Sequence, residues 1–220
     1  MGHSECFIDG VFYPSVTTIM GAAPKPWLQK WKDKWGILAT RKSKIASAVG
    51  TEWHRCIDSL LNTGVYGVMA PTADGIAMPS LIPRVQGMMK SYEGWLASVR
   101  GELWATELKV VSRKYVYSGT LDAVICLGKK LYIADWKTSA RIYDDYGMQL
   151  AAYAQAYAEE NGPQPKLGLI VCVSKDKPHF KLTTKEFKLG KRVFKQFMEL
   201  REMFDDIRDE SASTIQGRTQ

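Results

Sequence analysis

Two aspartates and a lysine have a spacing that suits metal-assisted chemistry. Asp122 closes the run Gly119-Thr-Leu-Asp122, twelve residues follow, and Asp135-Trp-Lys137-Thr comes next. Side chains two apart on a strand share a face, so Asp135 and Lys137 would point the same way. A hairpin between Asp122 and Asp135 would bring both carboxylates to one end of a sheet. Glu107, on the preceding strand, could complete the cluster. Carboxylates gathered at one point repel unless a divalent cation sits among them, and oxygen ligands suit Mg²⁺ or Mn²⁺. Such a cation would polarise a phosphodiester oxygen and activate water, and Lys137 would stabilise the developing negative charge or orient the attacking water. Asp-x-Lys alone is common. Here Asp135 ends the apolar run Leu131-Tyr-Ile-Ala, where a carboxylate is costly without a partner.

Positioning these residues requires strands. Trp104–Val111, Lys114–Cys126 and Lys130–Trp136 are rich in Val, Ile, Tyr and Leu, with Gly128-Lys129 between the last two as a hairpin turn. Tyr146–Asn161 reads as a helix closed by Gly162-Pro163. Leu167–Val173 is a continuous apolar run, as in a strand buried on both faces. A strand over His179–Thr183 and a helix over Thr184–Arg208 would follow, with residues 209–220 as a frayed tail. Upstream, Phe7–Tyr13 suggests a hairpin around Asp9-Gly10, and Ser15 caps a short helix. A helix is expected over Trp27–Val49, with Trp27, Trp31 and Trp35 on one face and Lys30, Lys32, Lys34, Arg41, Lys42 and Lys44 on the others. After Gly50, a second helix would span Thr51–Asn62. A Gly/Pro-rich loop over 63–79 and a helix over Leu81–Val99 complete the N-terminal part. The order implies an α/β fold: a mixed central sheet flanked by helices, with an N-terminal helical wall.

Length and composition fit this architecture. The chain has 220 residues, 45% hydrophobic and 24% charged, which suits one domain: a mainly helical part to about residue 100, a core over 101–208, and the tail. The net charge of +7 favours a polyanionic partner, with nucleic acid the commonest. Cys6, Cys56, Cys126 and Cys172 form no CxxC or Cys/His metal spacing, which argues against zinc as the physiological metal. Residues 1–10 lack a charged start followed by an apolar stretch, and no segment has the apolar length of a membrane span. The expectation is a soluble intracellular protein with no membrane association.

The run GTLDAVICLGKKLYIADWKTS, followed by Gln149-Leu-Ala-Ala-Tyr153, resembles the RecB-like branch of the PD-(D/E)xK nucleases. The likeness extends to Gly50-Thr51-Glu52-Trp53-His54, to Tyr13-Pro-Ser-Val-Thr-Thr-Ile19 and to Gly168–Val173. The set in this order is similar to the mitochondrial genome maintenance exonuclease type and its phage and bacterial relatives. The resemblance implies a restriction-endonuclease-like fold. It also implies that Asp122 and Asp135 bind metal, that Lys137 is catalytic, and that Glu107 is the acidic residue of the first core strand. His54 matches a histidine near the metal; by residue type alone it would be a satisfied helix histidine. Gln149 and Tyr153 match a helix motif supporting the site and the DNA backbone, and Ser15 and Thr17 are further expected DNA contacts. Lys175, just past the buried strand, is a candidate phosphate contact. Cluster cysteines of the iron–sulfur members have no counterparts here, so no cluster is expected.

The function implied is Mg²⁺-dependent DNA hydrolysis, with Mn²⁺ able to substitute, by an exonuclease preferring single-stranded ends. The alternatives are a structure-specific or flap endonuclease of the same fold, or a catalytically inactive DNA-binding module. The tryptophan stripe is either packing or a base-stacking surface, and its lysines either a solvated face or a phosphate track. The helices over Trp27–Val49 and Leu81–Val99, with the loop between 64 and 79, would wall a passage admitting one strand.

Overall fold

The computed structural model describes residues 6–174 and 180–216. A five-stranded sheet forms its centre, in the order β5 (Gly101–Ser112), β6 (Tyr117–Leu127), β7 (Lys130–Lys137), β8 (Leu167–Val173), β9 (Leu182–Lys188). β7 and β8 run parallel and the other neighbours antiparallel. The tight β6–β7 turn rests on positive φ at Gly128 and Lys129, as a two-residue hairpin loop requires. The parallel pair needs a crossover, and α5 (Tyr146–Asn161) supplies it.

Both faces of the sheet are covered. On one lie α1 (Val16–Gly21), α5 and α6 (Lys191–Gln216), packed on Val124, Ile133, Ile170 and Cys172. On the other lie α3 (Leu38–Thr63) and α4 (Ile82–Ser98), packed on Ala123, Ala134, Trp136, Leu169 and Val171. This two-sided burial is why β8 is apolar at every position. Each fully buried large aliphatic side chain contributes roughly 1.5–3 kcal/mol.

Near the N-terminus, β1 (Cys6–Ile8) and β2 (Val11–Tyr13) form the expected hairpin, turning through Asp9 and Gly10 at positive φ. Ser15 caps α1 by accepting a hydrogen bond from the Thr18 amide at 3.1 Å. This segment is tied to β6, with the Ser118 amide donating to the Pro14 carbonyl at 3.0 Å and the Ser118 hydroxyl to the Tyr13 carbonyl at 3.1 Å.

The helices of the N-terminal half differ from expectation in one respect. The break falls at Gly36, not Gly50: α2 covers Pro26–Trp35, and α3 runs unbroken through Gly50. Gly36 has φ +48° and donates its amide to the Lys32 carbonyl at 2.7 Å, which ends α2. Across the break the Lys42 ammonium lies 3.7 Å from the centroid of the Trp35 ring. Trp31 and Trp35 are half-buried. The stretch between α3 and α4 contains a small hairpin, β3 (Thr72–Ala73) with β4 (Ile76–Ala77).

Two further boundaries move. Residues 184–188, expected to begin the last helix, belong to the edge strand β9, and α6 starts only at Lys191. Its end lies at Gln216 rather than Arg208, because residues 209–216 contain no Gly or Pro to stop it.

Candidate active site

The acidic residues converge where β7 parts from β6, while β5 and β6 stay paired as far as Ser112↔Tyr117. The β6–β7 ladder is regular up to Ala123↔Ala134, so Asp122 and Asp135 are the next residues on each strand. There the strands splay, and Asp122 Oδ2 accepts a hydrogen bond from the Trp136 amide at 2.6 Å. On the other side, Glu107 falls between the pairs Thr106↔Ala123 and Leu108↔Leu121, level with Asp122. Its φ is +46°, a left-handed conformation rare inside a strand for a side-chain-bearing residue. Such strain persists only where surrounding structure holds it. One such hold is adjacent, where Asn62 at the end of α3 donates to Thr106 Oγ1 at 2.9 Å.

α3 brings His54 to the same point. Its Nδ1 lies 3.6 Å from Asp122 Oδ2, and ligand atoms of His54, Glu107 and Asp122 all lie within 4.8 Å of one another. The close seating of α3 explains the Gly-Thr-x-x-His run, since a Cβ on Gly50 would stand 3.1 Å from Thr138 Oγ1, just past the catalytic strand.

Asp135 is buried and held from two sides. Gln149 Nε2 donates to its Oδ1 at 3.1 Å, and the Lys137 ammonium lies 2.5 Å from Oδ2. Tyr153 stands one turn beyond Gln149, which also lies 3.4 Å from its hydroxyl. The Tyr153 ring lies over Gly119, where a Cβ would come within 2.7 Å of it. Thus the glycine of Gly119-Thr-Leu-Asp122 and the tyrosine of Gln149-Leu-Ala-Ala-Tyr153 need one another.

The electrostatics follow from this crowding. Burial, then the negative charge of Asp135, hold the Asp122 carboxyl well above the usual carboxylate range. Burial, then Asp122, raise Glu107. Burial lowers the His54 imidazole in spite of the nearby carboxylates, which leaves it neutral near pH 7. Burial would lower Lys137, but Asp135 and Asp122 outweigh it and keep the amine protonated.

Glu107, Asp122, Asp135, Lys137 and His54 are therefore gathered at one end of the sheet. Gln149 and Tyr153, expected to support the site and the DNA backbone, are both buried, and Gln149 holds Asp135. Ser15 Oγ is engaged as a helix cap and lies 3.0 Å from Thr17 Oγ1, with Thr17 exposed. Lys175 lies outside the described residues.

Two features were not anticipated. Glu52, within the Gly-Thr-x-x-His run, is buried and takes a two-pronged contact from Arg55 at 2.7 and 2.9 Å together with the Met69 amide at 2.6 Å. Arg55 also donates to the Gly67 carbonyl. This clasp fastens the stretch after α3 to the helix that carries His54. The second is Tyr146, whose ring centroid lies 5.1 Å from the Lys137 ammonium. The spacing of Tyr146, Gln149 and Tyr153 already places them on one helix face.

A five-stranded mixed sheet in this order, covered by helices on both faces, is the restriction-endonuclease-like fold. The chain matches the family described as the PD-(D/E)XK nuclease superfamily over residues 45–219, and it belongs to that superfamily. Among solved structures, a protein of Eubacterium rectale assigned as an exonuclease is 12% identical, with a TM-score of 0.50 over 87% of this chain and 77% of that one. A phage-related exonuclease from Haemophilus somnus 129PT is also 12% identical, with a TM-score of 0.44 over 92% of this chain and 96% of that one. At such identities the likeness is one of fold. No curated protein matches the chain. Among the described residues no helix is long and apolar enough to cross a membrane.

Nucleases of this superfamily use divalent metal ions, and the residues present suit one. A histidine and two carboxylates lie within reach of a common point. The two carboxyls are pushed upward by burial first and by a neighbouring carboxylate second. Beside them the Asp135 carboxylate is held by the Lys137 ammonium at 2.5 Å and by the Gln149 amide at 3.1 Å. Such a donor set fits a cation of the Mg²⁺ or Mn²⁺ type.

Proposed function

We propose that the protein is a metal-dependent deoxyribonuclease, an exonuclease acting on single-stranded DNA ends. The observation carrying this reading is the gathering of Glu107, Asp122 and His54, with Asp135 and the Lys137 ammonium beside them, where β7 parts from β6. Asp122, Asp135 and Glu107, with His54, hold the cation, Mg²⁺ with Mn²⁺ as a substitute. When bound it supplies a Lewis acid that polarises the phosphodiester and eases deprotonation of water. Lys137 sets a permanent positive charge against the negative charge that builds on the phosphate during attack. Gln149 fixes the orientation of Asp135, and the neutral His54 offers a lone pair rather than a repelling charge.

Support for a nucleic-acid substrate comes from the net charge of +7. The lysines of α2 and the start of α3 add to it, since Lys30, Lys32, Lys34, Arg41, Lys42 and Lys44 are all exposed. The preference for single-stranded ends is tested by digestion of labelled linear and circular, single- and double-stranded DNA with Mg²⁺. Linear single strands should be degraded, blunt duplex cut poorly and circular single strands left intact, with EDTA silencing all cutting. Rapid cleavage of circular single strands would replace the exonuclease with an endonuclease. Strong DNA binding with no cleavage under any divalent cation would reduce the protein to a binding module.

A further inference from the structure

The first turn of α5 grips both partners of the Asp135–Lys137 pair. Gln149 holds the carboxylate. Three residues earlier on the same helix face, Tyr146 presents its ring to the ammonium at 5.1 Å, within the range at which a ring face attracts a cation. We propose that Tyr146 is a positioning residue for Lys137, its ring walling the ammonium and its hydroxyl locked by Ser139; this rests on the catalytic reading of Lys137.

The ring is anchored from behind. The Tyr146 hydroxyl donates to Ser139 Oγ at 3.2 Å, and Ser139 Oγ donates to the Arg141 carbonyl at 2.7 Å. The buried Cys172 lies 3.3 Å from Ser139 Oγ and donates to the Ser139 carbonyl at 3.3 Å. Cys172 is also the register partner of Lys137 across the parallel β7–β8 ladder. Backbone, ammonium and ring are thus braced by one cluster of side chains, and Tyr143 meets the ring edge-on at 5.7 Å.

The need for such a brace is electrostatic. In the structure the ammonium rests on Asp135 at 2.5 Å. Once the Asp135 charge is shared with a cation, that attraction weakens, and a flexible four-carbon stem regains rotamer freedom. A ring face attracts the ammonium whatever the charge on Asp135, so it keeps the amine over the reacting phosphate.

The test is single-turnover cleavage of end-labelled single-stranded DNA with Mg²⁺, run with DNA affinity and thermal melting on each variant. Tyr146→Leu should slow the chemical step roughly tenfold while DNA affinity changes less than about twofold. Tyr146→Phe keeps the ring and should remain within about threefold of wild type. Ser139→Ala frees the ring and should cost a similar small factor. In a Lys137→Ala background, itself slowed by orders of magnitude, Tyr146→Leu should add nothing. Equal losses from Tyr146→Leu with and without Lys137, or a Phe variant as slow as Leu, would overturn the positioning role while leaving Lys137 catalytic. An unimpaired Lys137→Ala enzyme would overturn the catalytic reading itself, and with it this one.

Discussion

Two carboxylates expose little side chain, Glu52 7% and Asp122 12%, but Asp122 lies much deeper in the protein, and their acidities are pushed in opposite directions. For Glu52, burial alone would raise the value, but Arg55 and the Met69 amide outweigh it and hold the carboxyl below its ordinary range. Beside it the Cys56 thiol, raised to about 12 chiefly by burial, stays protonated and donates at 3.5 Å. Asp122 has one firm donor, the Trp136 amide, a neutral histidine at 3.6 Å, and neighbouring carboxylates whose effect the Lys137 charge offsets only in part. Both groups meet α3 within a turn of each other. The satisfied acid fastens the chain, and the frustrated one stores a demand for positive charge that folding leaves unmet. Depth of burial and the partners met there therefore decide the role of an acid together.

The largest contrast should appear on neutralising each acid in turn. Asp122→Asn should lower cleavage by at least about a thousandfold and raise the stability of the metal-free protein by about 1 kcal/mol, the scale of one relieved like-charge contact. Glu52→Gln should do the reverse, losing about 2 kcal/mol, or roughly 4–8 °C of melting temperature at this size, with cleavage within a few-fold at a temperature where it stays folded. Near wild-type turnover in Asp122→Asn would sink the site assignment. An unchanged melting point in Glu52→Gln would reduce the clasp to a surface contact.

Adding the cation should sharpen the same contrast. Mn²⁺ or Mg²⁺ at about a hundred times its dissociation constant stabilises a single-site protein by about 2.7 kcal/mol. That increment should be present in wild type and in Glu52→Gln and absent from Asp122→Asn. Calorimetry of all three with and without EDTA reads it directly, and an undiminished increment in Asp122→Asn would move the metal elsewhere.

Much of this contrast was hidden from the sequence, for reasons that differ by element. The spacing of Asp122, Asp135 and Lys137 was readable because a strand has period two and a tight turn joins β6 to β7. α5 and β8 occur at the expected residues, one stopped by Gly162-Pro163 and the other apolar throughout because it is covered on both faces. Gly50 misled as a helix break: its lack of a Cβ serves close approach to Thr138, whereas the break needs the positive φ of Gly36. β9 was displaced because an edge strand with most residues exposed carries no apolar alternation. Of the Glu52 clasp only the i, i+3 spacing to Arg55 was legible, since the other partner is a backbone amide seventeen residues away.

Acidification should separate the two acids by sign. A group whose folded value is depressed contributes stability that is present above its unfolded value and lost as pH falls through the folded one. The stability gap between wild type and Glu52→Gln should therefore be constant near neutrality and close as pH falls through and below 4.5, the ordinary glutamate value. For Asp122 the folded value is raised, so its penalty is full above that value. The advantage of Asp122→Asn should fade as pH drops toward 3.8, the ordinary aspartate value. Denaturant titrations across this range in EDTA check both, and parallel trends in the two variants would mean the acids are not differently partnered.

The smallest expected effect asks whether the clasp needs charge or shape. Arg55→Lys keeps the positive charge but replaces a planar fork with a single ammonium. The fork now serves both Glu52 oxygens, through Nε at 2.9 Å and Nη2 at 2.7 Å, and also reaches the Gly67 carbonyl. An ammonium on a flexible stem cannot hold all three acceptors in that plane. Arg55 is itself more than a third exposed, so water will screen the charge that remains and replace part of what is lost. The expected cost is about 1 kcal/mol, below that of Glu52→Gln, with faster amide hydrogen exchange at Met69. Cleavage should be unchanged, because His54 is held independently by the seating of Gly50 and by the Asn62–Thr106 bond. If Arg55→Lys instead matched Glu52→Gln in stability, the geometry of the fork would account for the whole clasp. If it were indistinguishable from wild type, charge alone would suffice, and the contrast with Asp122 would reduce to how closely a cation is seated on each acid.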